Sequence, residues 1–327
     1  MSTTNNWMVG AVLLDGQGGA KLLDETQVNK WTPKNGILWI HLNLSHPKAV
    51  SFLQNDKYLD DWTKDTLINT SGSRPRSLIH KNGLLLVVRT VNLTPRSEPD
   101  DMVFLRAFAT QNRVITVRIH PAISFKEIMN DFYEHAGPKN TNDLIEMILE
   151  NTLNSTADTV SDMEEYVDDI EEKIIAHQIS PHISDELSEL MRRLVIMHRF
   201  LTPEREALDA LSRHQLPWFN KKTTHLTKDS FHRMQRIIED ITLLKERVRI
   251  NQDALQMHDV KQSQKNMYML SVIATIFLPL SFLTGLFGMN VGGIPFSEEP
   301  YGLAVTVCFI VFIGIGLAYL FKRARWI

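Results

Sequence analysis

Gly288, Met289 and Asn290 lie inside an uncharged run from Asn266 to Ser297, at the end of its apolar stretch, and precede a glycine-rich turn, Val291-Gly292-Gly293-Ile294-Pro295. The Asn290 side chain suits one chemistry in particular. Its amide oxygen accepts hydrogen bonds from the water shell of a hydrated cation. Because the amide carries no formal charge, it can hold a divalent ion without trapping it. A second group of residues lies just upstream. At 3.6 residues per turn, Gln264, Met267, Ser271, Leu278 and Gly285 fall within about 60° of one another, with Thr275 at the edge. Such a stripe of small polar and flexible apolar side chains suits the wall of a narrow pore. Ordinary packing between membrane helices also favours small and hydroxyl residues, and on the stripe alone both readings stand. Further upstream, His258 offers an imidazole able to contact zinc or to titrate near neutral pH. Its plainer role is polar packing in a helix seam.

The elements that must position these groups are two long apolar segments. Residues 267–287 and 301–321 contain no charged side chain, and each has about the 20 residues that a helix needs to cross a bilayer. Lys261 and Lys265 precede the first segment, and Lys322, Arg323 and Arg325 follow the second. The loop between them carries only Glu298 and Glu299. This distribution of positive charge puts both termini in the cytoplasm. Tyr268, Tyr301 and Trp326 fit the aromatic belt of a membrane interface. One hairpin of helices leaves no lumen, so a pore needs several chains about an axis, and Asn290 then becomes a ring of amides.

The first span is fed by a long region free of proline and glycine, residues 228–278. In it Met234, Ile237, Ile241, Leu244, Val248, Asn251, Leu255, His258 and Gln262 alternate spacings of three and four, the pattern of a packed helix seam. One helix is therefore expected over residues 228–287, running through Pro279, which a membrane helix tolerates. The body before it reads as α/β over residues 1–140. Strand-like runs lie at 7–14, 37–44, 84–93, 102–109 and 114–119, with hairpin turns at Asn82-Gly83 and Gln111-Asn112. Helices are expected near 47–55, 60–68 and 124–135. Residues 141–227 read as an antiparallel hairpin of long helices, whose acidic first member faces the basic Arg192, Arg193 and Arg199 of the second. The remaining parts are an outer loop at 288–300, the second span at 301–321 and a basic tail at 322–327.

Several classes are excluded. A net charge of −3 gives no basic stripe for nucleic acid. The single cysteine, Cys308, rules out an intrachain disulfide and a paired-cysteine zinc site. The amino terminus lacks the pattern of a cleaved signal. The 12 histidines include the pairs His41/His46 and His177/His182, but neither pair has a convincing third ligand. The acidic face from Asp158 to Glu172 either attracts dications or is simply solvated, and solvation is the plainer reading. No phosphate-binding loop, metalloprotease motif or nucleophile elbow points to an enzyme. A membrane-anchored coiled-coil scaffold accounts for the heptads but leaves Gly288-Met289-Asn290 without a role.

The long helix running into Phe282-Leu283-Thr284-Gly285-Leu286-Phe287-Gly288-Met289-Asn290, with a short loop, a second span and a basic tail, resembles the CorA family of divalent-metal transporters. The following Val-Gly-Gly-Ile-Pro is similar to the ZntB branch of that family, whose substrate is zinc. Magnesium channels of the family instead tend to carry an aromatic and acidic loop, so magnesium, with cobalt or nickel, is the alternative cargo. The resemblance implies a funnel-shaped homopentamer in the bacterial inner membrane, with an α/β cytoplasmic domain, a long helical stalk and a two-helix transmembrane hairpin. It also implies that the first span lines the pore, with Gly288, Met289 and Asn290 as selectivity filter at the outer mouth. Glu298 and Glu299 sit where the outer loop would concentrate cations. No resident cofactor is expected, zinc being cargo. Phe287 stands where the family often has tyrosine, which keeps an aromatic at that position.

Overall fold

The computed structural model describes residues 6–69, 74–94, 97–98, 101–176, 178–289 and 300–323. The apolar runs at the start of the chain become strands: β1 (Met8–Leu14), β2 (Ala20–Leu22), β3 (Leu38–Asn43), β4 (Arg76–His80), β5 (Gly83–Val91), β6 (Met102–Thr110) and β7 (Arg113–Arg118). They pair into one sheet in the order β2-β1-β3-β7-β6-β5-β4. Only β3 and β7 are parallel, in register from Leu38 opposite Arg113 to Asn43 opposite Arg118. Both are buried along their whole length, as expected of central strands covered on two faces.

Three short helices cover one face, α1 (Glu25–Lys30), α2 (Pro47–Gln54) and α3 (Asp61–Ile68). Asp24 and Gln27 form a reciprocal capping box at the start of α1, and Asp60 accepts from the Thr63 N–H at the start of α3. Leu38, Ile40 and Leu42 of β3 and Ile115 and Val117 of β7 pack there with Val28, Ala49, Leu53 and Leu67. Alternate residues point the other way: Trp39 and His41 meet Phe125 of α4 (Phe125–Tyr133), with ring centroids 5.3 and 6.1 Å away. The expected turn at Gln111-Asn112 joins β6 to β7, where Thr110 pairs with Arg113. The turn before β5 lies one residue earlier than expected. His80 pairs with Gly83, so Lys81 and Asn82 make the bend, and Lys81 takes a positive φ of 53°.

Long helices follow: α5 (Thr141–Ile175), α6 (Ile183–Arg213), α7 (Lys221–Phe287) and α8 (Gly302–Arg323). Helix α7 starts at Lys221, earlier than the expected 228, within the region assigned to the preceding hairpin. Its seam is buried from Met234 through Ile237, Ile241, Leu244, Val248 and Asn251 to Leu255. The same side continues toward the amino end through Thr223, Thr227 and Ser230, which are buried although polar. His258 and Gln262, which extend the spacing in the other direction, are exposed. The chain divides into two compact units, Met1–Gln252 and Asp253–Ile327.

In the first unit the acids of α5 find their base on α7. Arg247 donates to Asp168 at 2.5 Å and to both oxygens of Glu171 at 3.0 and 2.7 Å, and the Asn251 amide adds a bond of 3.1 Å to Glu171. These bonds hold the Glu171 carboxyl below its ordinary range, the Arg247 side chain being the largest cause. On α6, Arg192 and Arg193 both bond Glu189 of their own helix.

Candidate functional site

The second unit contains the apolar part of α7 and the whole of α8. On α7 the half-buried positions are Pro279 and the set Val272, Ile276, Leu280, Leu283 and Phe287, which is spaced by three and four. On α8 they are Thr306, Ile310, Ile313, Gly314, Leu317 and Phe321. Gly314 lets the helices approach: a Cβ there would lie 3.5 Å from Cδ1 of Leu280. Nearer the loop, the rings of Phe287 and Phe309 meet edge to face at 6.4 Å.

The sequence-derived stripe lies elsewhere on α7. Gln264, Met267, Ser271, Thr275, Leu278 and Gly285 are all exposed, and at 3.6 residues per turn their mean direction is roughly 150° from the face that meets α8. Open space surrounds Gly285, with nothing within 4 Å of an added Cβ. The Thr275 hydroxyl donates to the Ser271 carbonyl at 2.8 Å, and that of Thr284 donates to Ser281 at 2.9 Å. Both therefore satisfy their proton within the helix and keep lone pairs outward. Pro279 lies inside the helix and has no N–H, so the Thr275 carbonyl four residues earlier loses its helical donor. The Ser271 and Thr275 side chains thus share one stretch of the stripe, while Thr284 lies on another side of the helix.

Helix α7 ends at the tripeptide. The Gly288 N–H reaches the carbonyls of Thr284 at 3.0 Å and Gly285 at 3.2 Å, and Met289 N–H reaches Leu286 at 3.4 Å. These bonds tighten the last turn and use up orphan carbonyls. Gly288 and Met289 are exposed. Asn290, the Val291–Pro295 turn, Glu298 and Glu299 lie outside the described residues.

His258 is half-exposed on α7, its Nδ1 3.6 Å from the carboxylate of its neighbour Asp259. Among the described residues no group of three or more His, Cys, Asp or Glu side chains is placed to hold a metal ion. His41 is fully buried, bonded through Nδ1 to Thr116 Oγ1 at 2.8 Å, and burial drives its pKa down to about 3. His46 instead caps α2, accepting the Lys48 N–H at 3.2 Å. The first histidine pair is therefore structural. His182 stands at the start of α6, and His177 lies outside the described residues.

Two clusters of ionisable side chains escaped the sequence reading. Asp56 and Arg113 form a two-pronged ion pair at 2.9 and 2.5 Å. Glu204 of α6, fully buried, accepts the Arg89 N–H at 3.0 Å while the Arg89 guanidinium lies between Phe104 and Phe200. Their partners are far apart in sequence, which no local spacing announces.

The family profile described as CorA-like Mg2+ transporter protein matches residues 34–323. The chain belongs to the CorA family. This CorA-family chain is 31% identical over 324 residues to the divalent cation transporter CmaX of Pseudomonas aeruginosa, covering 98% of this chain and 97% of that one. It is 29% identical over 320 residues to the zinc transport protein ZntB of Pectobacterium carotovorum, covering 98% and 96%. The structure of full-length CmaX superposes with a TM-score of 0.83 at 30% identity, over 98% of each chain. The α/β domain, long helical stalk and two apolar C-terminal helices are thus the fold of a CorA-family divalent cation transporter. The two apolar helices are its membrane spans.

Proposed function

We propose that this CorA-family transporter conducts zinc across the inner membrane of a bacterium. Its pore is formed by several copies of the chain, five by analogy with the family, with both termini in the cytoplasm. The observation that carries the pore assignment is the exposure of Gln264, Met267, Ser271, Thr275, Leu278 and Gly285 on the side of α7 turned from α8. Polar side chains in a span avoid lipid and favour a water-filled path, and α8 leaves this side of its own partner uncovered. A ring of Asn290 amides with Gly288 and Met289 at the outer mouth acts as the filter, and Glu298 and Glu299 raise the local cation concentration.

The stripe holds no histidine and only Met267 as a sulfur ligand, whereas tightly bound zinc prefers nitrogen and sulfur. The cargo therefore passes hydrated or weakly held. Zinc over magnesium rests on the Gly292-Gly293-Ile294-Pro295 sequence and on the similarity to ZntB proteins. His258 is the histidine of α7 nearest the span, with the chemistry to meet zinc or a proton, and its replacement by alanine tests that role through flux and its pH dependence.

The decisive measurement is flux into liposomes containing metal-sensitive dyes. Zinc entry that falls at least about tenfold in Asn290→Ala, a loss of about 1.4 kcal/mol or more at the barrier, supports the filter. Wild-type flux and selectivity in that variant refute it. Magnesium flux without zinc flux makes the protein a magnesium channel, and no dication flux removes the pore assignment.

A further inference from the structure

A cavity of about 710 Å³ opens between α5, α6 and the segment that follows β5. Its volume falls well within the range of small-molecule sites. Met163 of α5, Leu190 of α6 and Val91 of β5 supply an apolar part of the lining. Tyr166 of α5 lines it too, with 40% of its surface open. Its hydroxyl donates to one Glu186 oxygen at 2.8 Å. Burial, and then that bond, raise the hydroxyl to about 12, so it stays a donor at neutral pH. Acids dominate the rest of the lining. Glu98 and Glu189 are matched by Arg193, at 2.5 and 3.1 Å, and Glu189 also by Arg192 at 2.6 Å. Three carboxylates remain without a cation. Glu186 has only the uncharged Tyr166 hydroxyl, and Asp162 and Asp185 have no side-chain partner among the described residues. Asp185 and Glu186 stand in the first turn of α6, where the helix dipole keeps carboxylates ionised.

The charge calls for a cation, and the spacing of the acids selects its shape. No three acidic or histidine side chains converge as metal ligands among the described residues, so a bare dication finds no oxygen cage here. Carboxylates on two helices with apolar surface between them suit ammonium groups spaced along an aliphatic chain. Methylenes gain by leaving water against Met163 and Leu190, and an ammonium gains from the open Tyr166 ring beside Glu186. We propose that this cavity binds a linear aliphatic polyamine, its ammonium groups at Asp162, Asp185 and Glu186 and its methylenes on the apolar lining.

The test is isothermal titration of the full-length protein in detergent at low ionic strength, with spermidine, with butylamine and with magnesium as the point dication. Spermidine is expected to saturate one site per chain, and butylamine to bind at least about tenfold more weakly. Asp162→Asn is expected to weaken spermidine roughly threefold to fivefold, the reach of a partly exposed ion pair. Combined with Asp185→Asn, the loss is expected to reach about tenfold or more. Asp158→Asn removes the same charge from α5 outside the cavity and is expected to leave binding unchanged. All three positions are exposed, so these variants are expected to keep the wild-type melting temperature. Absence of saturation at spermidine concentrations on the order of 1 mM overturns the proposal. So do equal weakening by Asp158→Asn and Asp162→Asn, and displacement of spermidine by an equal concentration of magnesium. Ion flux takes no part in the readout, so failure here leaves the transport assignment untouched.

Discussion

At the scale of single residues, the groups that shape the α/β domain and its first long helices include buried ionisable side chains. Burial pushes the Glu204 carboxyl from an ordinary 4.5 up to about 8, against the opposing pull of the Arg89 N–H and guanidinium. Burial likewise lowers Arg89 to about 10, so for both partners loss of water outweighs their mutual attraction. The folded protein therefore binds a proton at Glu204 that the unfolded chain has released between pH 4.5 and 8. Stability from this group is complete below 4.5 and is lost as the pH rises through 8. In Glu204→Gln the bond to Arg89 N–H is kept and the titration removed. The expected outcome is that wild type loses on the order of 5 °C more in melting temperature than the variant between pH 5 and 8.5. Parallel curves for the two proteins would show that Glu204 does not titrate in this window.

At the scale of elements, the strands and long helices were legible because their burial is written in apolar spacing. Strands β3, β5, β6 and β7 carry nearly continuous apolar runs, and the α5 seam (Val160, Met163, Val167, Ile170) repeats every three or four residues. What was missed lacks that signature. The β2 strand is three residues long and exposed at Lys21 and Leu22. In β4, Ser77 is the buried position while Leu78 and Ile79 are exposed, so its polarity runs opposite to expectation. Ser77 is held by a hydroxyl bond of 2.7 Å to the Ala207 carbonyl of α6, a partner the local sequence does not announce. The early start of α7 was hidden for a related reason. Its first buried positions, Thr223, Thr227 and Ser230, are polar, so an apolar seam cannot reveal them. The site was half legible: helical angle sufficed to group Gln264, Met267, Ser271, Thr275, Leu278 and Gly285 into the exposed stripe proposed to line a pore, whereas the α8-facing side needed the position of Gly314. Alanine at 314 would make an ordinary contact with Leu280, but the branches of leucine would force the helices apart. Gly314→Leu is accordingly expected to lower the detergent melting temperature by roughly 2–4 °C for each 1 kcal/mol of lost packing, with Gly314→Ala close to wild type. Equal behaviour of the two variants would show that the approach at Gly314 is not tight.

At the scale of the whole molecule, residues 256–271 of α7 are exposed on every side, a helical length of roughly 24 Å at 1.5 Å per residue. Met257 and Val260, ahead of the span, lie there with more than half of their surface open, while Met267 and Leu270 are already inside the span, where lipid also covers apolar surface. Neighbouring copies of the chain would cover one side and leave the pore stripe toward the axis. In a background with Cys308→Ser, which removes the only native cysteine, Ser271→Cys and Thr275→Cys are expected to react with a charged, water-soluble thiol reagent and to lose most of their flux. Phe277→Cys, on a different side of the helix, is expected to resist. Equal reaction at all three positions would refute a pore lined by this stripe.

Where other copies of the chain cover that stretch, stability becomes a matter of mass action. A helix segment whose covering comes from other copies is held only while those copies remain bound, so free energy of folding and free energy of association become one quantity. The apparent melting temperature of such a protein rises with protomer concentration and falls on dilution, and a newly made chain stays incomplete until it meets its equals.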